Sequence, residues 1–124
     1  MARFKGIFLA TGLALLGVAH AQDQVMSGEE IRAAWSDKTL TGTIGAGPHA
    51  GKSIELQLKA DGTAVLSGTL TDTGTWRIQA QSYCATWAQI RAGQERCFAV
   101  VRRGADMLVL APDGSTNTII TSAR

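Results

Sequence analysis

Histidine, cysteine, tyrosine and proline are all scarce in this chain, which has two His, two Cys, one Tyr and two Pro in 124 residues. Each scarcity removes a kind of chemistry. A metal centre takes three or four protein or water ligands. Only His49 remains once His20, which lies in an expected leader, is set aside. Cys84 and Cys97 do not have the C-x-x-C spacing of a redox or zinc pair. Carboxylates form no catalytic dyad. Glu29 and Glu30 have a helix-capping task, and Asp61, Asp72 and Asp113 fall at turns, where aspartate has a structural reason to be. Neither a metal nor a cofactor is expected.

Long apolar runs are missing as well. The uncharged stretch from Gly6 to Val18 is about 13 residues, short of the roughly 20 that a membrane-spanning helix requires. Arg3 and Lys5 precede it and Ala19-His20-Ala21 follows, the positive, apolar, small-x-small order of a signal peptide. Cleavage is expected after Ala21. Residues 1–21 would then be the leader and 22–124 one exported domain, periplasmic or extracellular, with no membrane span left. The cut also erases the basic excess. The chain has 12 Lys+Arg against 10 Asp+Glu, and losing Arg3 and Lys5 brings the signs level. No nucleic-acid partner is expected from that balance.

What the chain does have is alternation, after one helix. Ser27-Gly28-Glu29-Glu30 reads as a capping box, with Met26 and Ile31 placed for a hydrophobic staple. Ile31, Ala34 and Trp35 share one face of a helix of about ten residues, too short to persist alone. It must pack, with Trp35 as its core anchor. Side chains then alternate through Thr39–Ile44, Lys52–Lys59, Thr63–Leu70, Thr75–Gln79, Ser82–Ile90, Arg96–Arg102, Asp106–Ala111 and Thr116–Thr121. Asp61-Gly62 reads as a tight primed hairpin turn, and Thr71–Gly74 as a further turn. About eight short strands at regular spacing predict a mainly β fold, an antiparallel meander forming a small barrel or sandwich with one short N-terminal helix. The uncharged Thr118–Thr121 reads as an open edge, which leaves monomer or homodimer as alternatives.

The densest stretch is Gly74 to Arg103. It holds both cysteines, two of the three tryptophans, the one tyrosine, and Arg77, Arg91, Arg96, Arg102 and Arg103 against Glu95 alone. Cysteines in an exported chain point to a disulfide, Cys84–Cys97, contributing on the order of 3 kcal/mol. If these two face each other, antiparallel pairing sets Tyr83 opposite Phe98, on the face that carries Trp87. Trp76, Arg77, Tyr83, Trp87 and Arg102 are the candidate ligand-binding residues, since aromatic faces and guanidinium groups suit an anionic or aromatic ligand. Alternation alone would also produce this arrangement, as a core layer backed by a solvated arginine layer, and that plainer reading carries more weight.

Two further features carry less. Ala46–Ser53, AGPHAGKS, lacks the first glycine of the phosphate loop G-x-x-x-x-G-K-[ST] and is followed by a strand where that motif opens a helix. His49, flanked by Pro48 and Ala50, reads as a solvated loop histidine.

The layout of SGEEIRAAWSDKT at Ser27–Thr39, DGT at Asp61–Thr63, GTWRI at Gly74–Ile78, YCATW at Tyr83–Trp87, ERCF at Glu95–Phe98 and PDG at Pro112–Gly114 resembles small exported proteobacterial proteins classed as domains of unknown function. In them a helix precedes a cystine-bearing β-meander. The resemblance implies a periplasmic or secreted bacterial location and brings no catalytic residues with it. The expected function is an exported binding module, for a small molecule in the barrel mouth or for a protein or envelope component. The alternatives are an unmarked hydrolase using His49, and a structural or stress-related envelope protein without a small ligand.

Overall fold

Period-two alternation from Lys38 onward decides the architecture, because each strand can then bury one face and solvate the other. The computed structural model describes residues 23–124. The expected leader and its cleavage site lie outside the described residues. The strands are β1 (Gln24–Val25), β2 (Lys38–Ile44), β3 (Ser53–Leu58), β4 (Thr63–Gly68), β5 (Asp72–Gln79), β6 (Ser82–Trp87), β7 (Arg96–Arg103), β8 (Asp106–Leu110) and β9 (Thr116–Ala123), with one helix, α1 (Gly28–Trp35). Burial in β3 follows the sequence literally: Ile54, Leu56 and Leu58 are buried while Ser53, Glu55 and Gln57 are exposed.

From β2 to β9 each strand pairs antiparallel with the next, and β9 returns to pair with β2. The eight strands form a closed barrel, which decides between the two architectures expected from spacing. Closure also corrects the expectation of an open edge at Thr118–Thr121. Residue Thr118 faces Ile44 on one side and Val109 on the other, so that backbone has no free row of donors.

Ahead of α1, Gln24 and Val25 make a short strand against Arg102 and Val101. Pairing of β6 with β7 ends at Ser82–Ala99, which leaves the remainder of that β7 edge to β1. A two-residue strand has no periodic signal of its own. The partner edge creates it.

The capping box forms as expected: Ser27 Oγ accepts from the Glu30 amide at 3.1 Å, and Glu30 Oε1 accepts from the Ser27 amide at 2.8 Å. The helix spans 8 residues, shorter than expected, because the chain turns extended at Ser36 and left-handed at Asp37. It closes the end of the barrel where β5 hands over to β6. Gly28 lies against that hairpin so closely that an added Cβ would sit 2.2 Å from the Ala80 carbonyl oxygen. Ile31 and Trp35 are fully buried, and the Trp35 indole N–H points at Met107 Sδ, 3.3 Å away.

Three local expectations change. The turn before β4 is not a primed pair: only Gly62 has positive φ (96°), the Gly62 amide donates to the Lys59 carbonyl, and Asp61 Oδ1 accepts from the Thr63 amide at 2.9 Å. That is a three-residue connection with its glycine in the left-handed position. Thr73 and Gly74, expected in a turn, belong to β5. Gly74 pairs with Ala64 and Trp87, and an added Cβ there would lie 2.0 Å from the Thr86 carbonyl oxygen, so its lack of a side chain permits the close approach. Finally, β6 ends at Trp87 rather than Ile90, because residues 88–95 leave the barrel wall as a loop.

Candidate functional site

An eight-stranded barrel is just wide enough to be filled by side chains or to hold one small ligand. Here the two ends differ. At the α1 end, Met26, Ile31, Trp35, Leu40 and Leu58 fill the space. At the opposite end a cavity of about 120 Å³ remains. Its walls are mostly apolar, from Ile54, Leu66, Leu70, Trp87, Phe98 and Val109, with Asn117 and Thr118 on β9 as polar exceptions and Arg91 at the rim. A dry apolar cavity of roughly 150 Å³ is enough for benzene, so this one suits a single ring or a short branched chain.

A column of rings joins the two ends. The Arg91 guanidinium sits 5.4 Å from the centroid of Phe98. Phe98 stacks on Tyr83 at 5.8 Å and 25°, and Tyr83 meets Trp35 edge-on at 5.3 Å and 79°. Each contact has a favoured aromatic or cation–π geometry. The column follows from register. Cys84 faces Cys97 and they form a disulfide, as expected, which sets Tyr83 opposite Phe98 on the inner face. Burial pushes the Tyr83 phenol well above its ordinary range, opposed in part by the nearby Arg91 charge. The phenol therefore stays neutral and acts as a hydroxyl, not as a base.

Arg91 owes its position to an unusual loop. Arg91 (φ 56°), Ala92 (φ 53°) and Gly93 (φ 75°) run consecutively through left-handed backbone. Two of the three carry a Cβ, which costs on the order of 1 kcal/mol each in that region. Asp72 holds the loop from outside: its Oδ2 accepts from the amides of Gln89 (3.0 Å) and Ile90 (2.9 Å), and its Oδ1 from Thr73 (2.8 Å). Those amide donors, led by Ile90, hold the Asp72 carboxyl below its usual range. The disulfide fixes the loop's base, since Cys84 and Cys97 lie on the strands at either side of it. Arg91 is half-buried, and its Nε is shielded from solvent without a hydrogen-bond partner. Burial, and then the charge of Arg96, lower its pKa, but a guanidinium stays protonated.

The candidate residues separate. Tyr83 and Trp87 line the cavity. Trp76 is also buried, but its indole N–H donates to the Lys59 carbonyl at 2.7 Å and secures the β3–β4 turn. Arg77 is on the outer face, in a two-bond pair with Glu95 at 2.7 and 2.8 Å. Arg102 is exposed near the far end of β7, where its charge acts weakly on Glu30 of α1. The structure thus brings two of the five to the cavity and places the two arginines elsewhere. Sequence reasoning counts Arg91 among the arginines of the ribbon without singling it out, and passes over Asn117 and Thr118. The one local signal for Arg91 is Gly93, which ends its loop.

His49 is exposed in the loop between β2 and β3. Among the described residues, no group of three or more His, Cys, Asp or Glu side chains is placed to hold a metal ion. No helix among them is long and apolar enough to cross a membrane. Comparisons with protein-family models, with curated proteins and with solved structures found no match.

Proposed function

We propose that this chain is an exported binding module that takes a small, largely apolar molecule into the open end of its barrel. The cavity carries this reading: a closed barrel sealed by α1 at one end keeps about 120 Å³ of apolar-walled space at the other. Small-molecule sites are concave and mostly apolar, with few convergent polar groups, and Arg91, Asn117 and Thr118 supply those here. The disulfide, formed where thiols oxidise, and the leader-like N-terminus support a periplasmic or extracellular location.

Trp87 reports on the site directly, because its ring forms part of the wall. Titration with toluene should change Trp87 fluorescence saturably, and Leu66→Trp, which fills the space, should abolish the change. A linear response, unaltered in Leu66→Trp, would count against a cavity site. Intact mass of exported protein should match a chain beginning at Gln22.

A further inference from the structure

The cavity wall alone does not explain why its rim carries a cation. Arg91 reaches that rim from three consecutive left-handed residues, a conformation its own sequence disfavours. Strained backbone persists where the surroundings over-determine it, and such positions cluster at binding sites. Here Asp72 and the Cys84–Cys97 bridge do the determining. The strain therefore delivers one side chain, and that side chain is incompletely used. Its guanidinium carbon lies 5.4 Å from the Phe98 ring centroid, while Nε is buried with no acceptor.

The neighbouring carboxylates are engaged elsewhere. Glu95 takes both oxygens to Arg77, Asp72 spends its oxygens on backbone amides, and Asp113 accepts from Ser115. Among the described residues the ion pairs are Arg77–Glu95 and Arg103–Asp23, and Arg91 is in neither. Arg96 adds like charge nearby. Across the cavity, Thr118 donates to Asn117 Oδ1 at 2.8 Å, which leaves the Asn117 amide N–H groups as further donors. Among the described residues no carboxylate lines this opening to match the Arg91 charge.

We propose that the ligand is a small carboxylate, with its charged end on the Arg91 edge and a single ring or short branched chain in the cavity. A guanidinium offers paired N–H donors in one plane, which match the planar, two-oxygen carboxylate. A carboxylate at the rim would give Arg91 the counter-charge that no ion pair supplies and offset the repulsion from Arg96. The space below Arg91 admits a ring and not a long chain. This inference rests on the cavity reading, and the test separates the two.

Benzoate is the probe, with benzamide as its neutral isostere and toluene as the uncharged control, each titrated calorimetrically into the disulfide-bonded protein. Benzoate should bind about tenfold or more tightly than benzamide, the difference expected of a charge-assisted hydrogen-bonded pair. Arg91→Gln should remove that preference, and Arg91→Lys should restore only part of it. The wild-type benzoate-to-benzamide ratio needs no variant, so a misfolded substitution does not spoil the test. Equal affinity for benzoate and benzamide, with toluene bound, would overturn the carboxylate assignment and leave the cavity reading intact. Failure of all three probes to bind would overturn both.

Discussion

The two ends of this barrel are built from the same strands and finished in opposite ways. At the α1 end the connections are short, Trp35 and Ile31 are fully buried, and the helix amides are capped by Ser27 and by Gln81. At the other end the loops of residues 45–52 and 88–95 are long, the cavity persists, and Arg91 Nε is left without an acceptor. Tight packing and satisfied polar groups serve stability. Space and an unmatched donor serve no such purpose. On the proposed binding reading the contrast divides the labour: the helix end holds the fold together, and the loop end keeps the space a ligand would need.

Substitutions should respect that division. The largest loss is expected at the closed end, where Trp35→Ala removes a fully buried ring in contact with Tyr83 and should lower unfolding free energy by about 3–5 kcal/mol in urea. Replacing both Cys84 and Cys97 by Ser should cost about 3 kcal/mol. Because the bridge flanks the 88–95 loop, that variant should also show faster amide exchange there than at α1. Ser27→Ala, which removes the helix cap, should cost about 1 kcal/mol and leave toluene affinity unchanged.

The smallest effect on stability, and the one that sharpens the contrast most, is expected from Asp72→Asn. The folded Asp72 carboxyl titrates below its unfolded value, so its contribution is present above the ordinary carboxylate range near pH 4 and is lost as pH falls through the depressed folded value. Melting temperature measured from pH 6 down to pH 2 should fall less steeply in the variant. Amide exchange at Gln89 and Ile90 should become faster, while exchange in α1 should stay as it was. If α1 responds equally, the two ends are not independent.

Much of the fold is legible in the sequence, and the illegible part has two causes. The capping box, the Cys84–Cys97 register and the Tyr83–Phe98 pairing follow from short-range spacing, and all three are present. Period-two alternation tells which face a side chain takes, but not its height along the barrel axis. Tyr83 and Trp87 accordingly take the expected face, and Arg102 lies at the wrong height, near α1, whereas Arg77 is outward, as its position beside the inward Trp76 requires. Closure of β9 on β2 joins residues about 80 apart in sequence, such as Leu40 and Ala123, and no local pattern encodes it. The left-handed run at Arg91 was hidden for a different reason. Neither Arg91 nor Ala92 favours that backbone, so tertiary contacts from Asp72 impose it against local preference.

The central claim is that the end opposite α1 contains accessible apolar space. Xenon binds such space through dispersion and ignores charge, so crystals pressurised with xenon test the claim without assuming any ligand. The account predicts an anomalous peak inside the barrel among Leu66, Trp87, Phe98 and Val109. A barrel interior free of xenon, or a peak confined to the neighbourhood of Trp35, would contradict it.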